Sequence, residues 1–189
     1  MNKRMLIAAA VLSAFTAACS TTQPGMNGSD PMAQRAAINA ETDAALTKLA
    51  TQMPSSTEMI RRARGVLVFP KVVSAGFVVG GSYGKGELRV HDKVEGYYST
   101  TAASVGLLAG ADSKAVYILF MTDESLQKFR NSKGWTAGAD ASVSVLNAGA
   151  ATGVDTQTVK RPVVGYVLTN AGLMANVAID GTKITRLDI

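Results

Sequence analysis

The sequence predicts an α+β fold: a curved antiparallel β-sheet, open or near-closed, with N-terminal helices and one further short helix packed on it. Three observations predict it. Hydrophobic spacing is helical up to Arg62 and becomes strand-like from Gly65. Sixteen of the 18 glycines fall between Gly65 and Gly181, mostly at the joints of apolar runs, which suits tight turns, bulges and sharply bent strands. The 189 residues are 47% hydrophobic and 17% charged, a balance that suits one globular domain and argues against a mostly disordered chain.

Asp30-Pro31 gives a helix start, with Asp as cap and Pro at the first helical position. Ile38, Ala45, Leu49 and Met53 then share one face, with Leu46 beside them, and polar residues cover the rest. Pro54 ends this helix. Ser55-Ser56-Thr57-Glu58 has the spacing of a capping box and opens a second helix through Ile60 to Arg62. Val66-Leu67-Val68-Phe69 is a buried strand stopped by Pro70. Phe77 to Val79, Glu87 to Val90, Ala115 to Met121, Ala139 to Val145, Val163 to Leu168 and Leu173 to Ile179 also read as strands. In Ala139 to Val145 small or apolar residues alternate with Asp and Ser, giving one dry and one wet face. A third helix is expected between Thr122 and Lys133, with Thr122 or Asp123 as cap, Leu126 and Phe129 inward, and Gly134 as its stop. Asn147 to Arg161 is poor in large apolar residues and reads as a mobile excursion.

The N-terminus reads as an address. Met1 to Arg4 is basic, and Met5 to Ala18 is apolar except for Ser13 and Thr16. As a helix that run is about 21 Å long, short of the ~30 Å hydrocarbon core, and it has the form of a bacterial export signal. Thr16-Ala17-Ala18-Cys19 resembles a lipobox, the recognition motif of bacterial lipoproteins, with Thr16 where Leu is usual. The resemblance implies a diacylglycerol thioether and an N-acyl chain on Cys19, hence palmitate incorporation. Cleavage after Ala18 by the ordinary signal peptidase, leaving a free thiol, is the alternative. Residues 1–18 are then the signal peptide, 19–29 a lipidated flexible tether, and 30–189 a single domain. Ser20 rather than Asp after the cysteine points to the outer membrane, facing the periplasm.

Charge and composition exclude several functions. The formal charge is +5; without Lys3 and Arg4, 17 basic residues face 14 acidic ones, a net +3. No basic stripe with interleaved aromatics suggests a nucleic-acid surface. One cysteine rules out an intrachain disulfide framework or thiolate zinc cluster. One histidine leaves little room for a metal site or catalytic relay.

Gly80-Gly81-Ser82-Tyr83-Gly84-Lys85-Gly86 is one residue short of a phosphate loop and precedes no helix, so it reads as a glycine-rich hairpin turn. His91 beside Asp92 reads as a surface residue, since no GxSxG elbow accompanies it. Asp123 and Glu124 are explained by helix capping. No catalytic residue, metal or cofactor is nominated beyond the acyl chains, and a non-enzyme is expected. An enzyme needs a concave site with several convergent polar groups, and buried, mutually hydrogen-bonded titratable residues would revive that reading. The cluster that remains is Arg61, Arg62, Arg64 and Lys71, flanking a hydrophobic strand after an amphipathic helix. It reads either as a phospholipid-headgroup surface, at ~1 kcal/mol per basic residue, or as a solvated helix end.

The run Ala63-Arg64-Gly65-Val66-Leu67-Val68-Phe69-Pro70-Lys71, then Ala75-Gly76-Phe77 and Gly80, Gly81, Gly84 and Gly86, resembles the opening signature of the SYLF domain. Gly172 to Gly181 resembles its closing signature, and the likeness spans about Thr57 to Leu187. It implies a lipid-binding module related to actin-patch proteins, in which basic residues and the preceding helix meet a membrane. Carried to this chain, it implies that Arg61, Arg62, Arg64 and Lys71 bind an anionic bacterial phospholipid or lipid A. The expectation is therefore a membrane-anchored periplasmic lipoprotein whose domain binds anionic lipid. The alternative is an envelope structural or interaction protein that binds another protein, with the lipid serving only as anchor.

Overall fold

Pro31 pre-sets the backbone of a first helical turn, and helix α1 spans Pro31–Gln52 in this computed structural model. The structure describes residues 30–76, 79–105, 110–146, 161–169, 172–173 and 179–189. Residues 1–29, on which the expected signal peptide, Cys19 and the expected tether fall, the stretch 147–160 and most of the expected closing signature lie outside the described residues. Pro31–Ile189 forms one compact unit.

Helix α1 buries Ile38, Thr42, Ala45 and Leu49, the stripe expected from spacing with Thr42 set into it. Helix α2 follows at Ser55–Arg62, but the expected capping box is not formed. Pro54 occupies the cap position in helical conformation and no side chain caps the helix. A capping side chain needs an extended backbone at that position. Glu58 turns instead toward Arg61 and Arg62.

The strands are β1 Gly65–Gly76, β2 Val79–Val90, β3 Lys93–Val105 and β4 Gly110–Phe120. After helix α3, Asp123–Asn131, come β5 Trp135–Thr136, β6 Ser144–Val145, β7 Val163–Thr169, β8 Gly172–Leu173 and β9 Lys183–Leu187. They form one sheet in the order β5-β9-β3-β2-β1-β4-β7-β6, with β8 paired to β7. All pairs are antiparallel except β6 with β7.

The sheet has to curl. Laid flat, eight strands would separate β5 from β6 by about 33 Å. Fully extended, the chain from Thr136 to Ser144 reaches only about 29 Å, and it is not extended. Ala139 and Asp140 donate back to the Thr136 carbonyl at 3.2 and 2.9 Å, and Gly138 takes a φ of 86°. The expected strand Ala139 to Val145 is therefore a turn followed by the two residues of β6. The result is a half-barrel.

Pro70 does not stop β1. The strand continues to Gly76, and its register with β2 shifts between Val68 and Lys71. Proline has no N–H to donate, and a bulge is where a strand loses least by that. The Gly80–Gly86 stretch is not a hairpin turn but lies inside β2. A Cβ on Gly86 would sit 2.0 Å from the Val68 carbonyl oxygen and 2.7 Å from Phe69 Cδ1, so only glycine lets β2 pass the bulge. Strand β3, unexpected from sequence, joins β2 through His91 and Asp92, at φ 50° and 62°. That turn leaves His91 exposed.

The two faces carry separate cores. Leu67, Phe69, Phe120, Leu126, Phe129, Trp135 and Ile184 pack together on one. That face holds residues of β5 and β9 together with Val163 and Val167 of β7, so it is the inside of the curl. Thr122 caps α3, its Oγ1 accepting from Ser125 N at 3.2 Å, and the helix delivers Leu126 and Phe129 as expected. On the convex face, Ala45, Leu49 and Met59 of the helices meet Val68, Tyr117, Tyr166 and Leu168.

Candidate headgroup site

The structure does not bring the four expected cations together. Arg61 and Arg62 stand on the last turn of α2 and share one partner. Arg61 donates to both Glu58 oxygens, at 2.9 and 2.8 Å, and Arg62 to one, at 2.6 Å. The Arg61 hydrogen bonds, then that of Arg62, hold the Glu58 carboxyl down at about 2. Arg64 Nε lies 3.6 Å from Asp123 Oδ2. These three arginines thus meet two carboxylates. Lys71 lies on the far side of the bulge, about 20 Å along β1 from Gly65.

Lys71 instead joins other lysines. A cleft of about 370 Å³ opens between α1, β1 and β4, lined by Lys48, Lys71, Lys114, Glu41, Tyr117 and Leu168. Among the described residues no ion pair engages Lys48, Lys71 or Lys114. Lys71 is also the direct cross-strand partner of Lys85, and like charges placed opposite each other destabilise a sheet. Lys85 Nζ donates to Gln34 Oε1 at 2.8 Å, an amide that leaves its charge uncompensated. The floor is rigid. Tyr117 is buried and donates its hydroxyl to the Ala45 carbonyl at 2.8 Å, and burial pushes its pKa up.

A second polar group lies under the N-terminal half of α1. Glu87 is fully buried and accepts from Arg89 Nε at 2.6 Å; Arg89 also donates to Asp43 Oδ1 at 2.7 Å. The Asn39 amide donates to Glu87 Oε2 and, at 3.0 Å, to the Tyr97 hydroxyl. Burial raises the Glu87 pKa against the lowering effect of Arg89. These are buried, mutually bonded titratable groups, yet neither cleft described here reaches Glu87. They fasten α1 to β2 and β3.

Inside the curl a smaller, more enclosed cavity of about 240 Å³ has Phe69, Val116, Ile118 and Ile184 in its wall and Asp112 and Lys114 among its polar lining. Among the described residues no group of three His, Cys, Asp or Glu side chains could hold a metal ion. Asp123 and Glu124 go separate ways, to Arg64 and Lys128. Sequence reasoning missed Lys48 and Lys85. Their neighbourhood with Lys71 arises from sheet register and helix docking, and only the cations themselves were visible.

No match was found among curated proteins. Residues 101–188 match the family model Ysc84, described as Las17-binding protein actin regulator. The match runs from the end of β3 through β9 and leaves the opening signature outside it. Strand β1, which carries that signature, is nonetheless paired with β4 of the matched part. Through this match residues 101–188 are similar to the Ysc84 family, in keeping with the likeness to the SYLF domain read from the sequence.

Proposed function

We propose that this chain is a lipid-anchored protein of the bacterial envelope whose SYLF domain binds anionic lipid and catalyses no reaction. The observation that carries the reading is the uncompensated group Lys48, Lys71 and Lys85 on the convex face. An anion lying between Lys71 and Lys85 relieves their repulsion, and phosphate headgroups supply such anions in an array. Of the sequence-nominated group, Lys71 is the central contact, while Arg61, Arg62 and Arg64 already have carboxylate partners. Acyl chains on Cys19, in the outer membrane facing the periplasm, supply the anchor, since two or more chains hold a protein stably on a bilayer.

Flotation of residues 20–189, lacking acyl chains, tests the lipid reading. Recovery is expected on phosphatidylglycerol vesicles and not on phosphatidylcholine, falling as salt screens the attraction. Equal recovery from both contradicts it, and selects the envelope protein-binding reading if a protein partner is captured instead. Radiolabelled palmitate is expected in the wild type and absent from Cys19→Ala; no label in the wild type removes the anchor.

A further inference from the structure

Beyond Lys71 and Lys85, the convex face of β1, β2 and β3 changes character. The next cross-strand row is Val73, Tyr83 and Thr101, followed by Ala75, Gly81 and Ala103. All six positions are exposed and none is charged. Val79 opens β2 at the hairpin end and is 70% exposed. Five large hydrophobic residues are exposed among the described residues, and Val73, Val79 and Tyr83 are three of them. Helix α1, which covers Glu87 and Lys85 on this face, leaves these rows open.

We infer that this hairpin end of the β1–β2–β3 face enters the interface of an anionic bilayer, with Val73, Val79 and Tyr83 below the headgroups and Lys71 and Lys85 level with them. The inference rests on the anionic-lipid reading and adds which part of the domain enters the membrane. The order of the rows is the order of a bilayer interface, cations first and apolar side chains beyond. From the Lys71–Lys85 row to the Gly76–Gly80 row is about 17 Å of strand. A headgroup layer is about 5–7 Å deep, so the end reaches the acyl boundary while the lysines stay at the phosphates. Tyrosine is enriched at that level.

A protein partner fits less well. Stable interfaces bury about 800 Å² a side, and three partly exposed side chains supply a fraction of it. A second copy packed through the same face brings two uncompensated lysine rows together.

The experiment reads depth, which does not depend on how residues 1–29 reach the vesicle. The full chain carries Cys19→Ser with either Val79→Cys or Gln127→Cys, the latter exposed on α3, each bearing a polarity-sensitive fluorophore. Vesicles are phosphatidylglycerol with phosphatidylcholine, doped with brominated acyl chains. The Val79 label is expected to shift blue and be quenched, the Gln127 label to do neither, and Tyr83→Glu to abolish the Val79 response. Lys71→Gln is expected to weaken association about fivefold.

A response at Gln127 but not at Val79 overturns the inference, as does a Val79 label already shielded in a vesicle-free dimer. If both labels stay wet while residues 20–189 still float on anionic vesicles, this inference fails and the lipid reading stands. If flotation is lost as well, both fail.

Discussion

At the Gly65 end of β1, Arg61, Arg62 and Arg64 face Glu58 and Asp123 at 2.6 to 3.6 Å. Past the bulge, Lys71 faces another lysine, with Lys48 at the same cleft. The sequence density of positive charge favours the first region, and the structure favours the second. What distinguishes them is compensation. Exposed ion pairs add little to stability, but they cancel the field that an anionic surface would feel. Cations without partners keep theirs. The apolar rows beside Lys71 and Lys85 sharpen the contrast, because the arginine end has no exposed large hydrophobic residue on α2 or α3.

The largest expected effect comes from the bulge that separates the regions. Gly86→Ala drives a methyl against the Val68 carbonyl, and we expect a loss of more than about 4 kcal/mol, read as an unfolded or aggregated product. A variant that melts like the wild type would mean the strands can slide past the bulge, and the separation of the two regions with it.

Next is the fastening of α1. Glu87→Ala leaves Arg89 and Asn39 without a buried partner, at a cost of about 3 kcal/mol, or roughly 10 °C in melting temperature. Burial raises the Glu87 pKa, so the wild type pays for the ionised form at neutral pH. That cost is relieved as pH falls through the raised value, and the variant loses this pH dependence. Thermal unfolding across the acid range checks both.

Much of the fold was legible, for local reasons. Pro31, Pro54 and the 3–4 spacing of Ile38, Ala45 and Leu49 specify α1, and Thr122 with Leu126 and Phe129 specifies α3. Strand β3 was not legible. Its buried described positions are Gly96, Tyr98 and Thr100 and their neighbours are Tyr97, Ser99 and Thr101, so its two faces differ little in hydrophobicity. Its turn, His91-Asp92, uses left-handed conformations without glycine. Pro70 and the glycines of β2 misled together: each is a breaker alone, and they are compatible with strand only because the bulge and the glycines face one another. The site was legible as a density of charge around Lys71. Which cations were already partnered depended on Glu58 and Asp123, the first assigned to a capping box and the second to helix capping.

The smallest effect is expected at the arginine end. Glu58→Gln frees two exposed guanidinium groups and should leave the neutral-pH melting temperature nearly unchanged. Glu58 is held at about 2 by Arg61 and Arg62, below its unfolded value, so its contribution is present above about pH 4.3 and fades toward pH 2. Acid unfolding of the variant lacks that component. Binding to anionic vesicles should not rise, since this end sits more than a Debye length, ~10 Å, from the proposed contact. A clear rise would bring the two regions onto one membrane-facing surface.

The most direct measurement compares two charge reversals of equal size on residues 20–189, Lys48→Glu with Lys71→Glu against Arg61→Glu with Arg62→Glu, by partition onto phosphatidylglycerol vesicles. The lysine pair is predicted to lose more than about a hundredfold in affinity, and the arginine pair to stay within about threefold of wild type. Equal losses, or a loss confined to the arginine pair, would contradict the claim that uncompensated lysines mark the lipid-facing end.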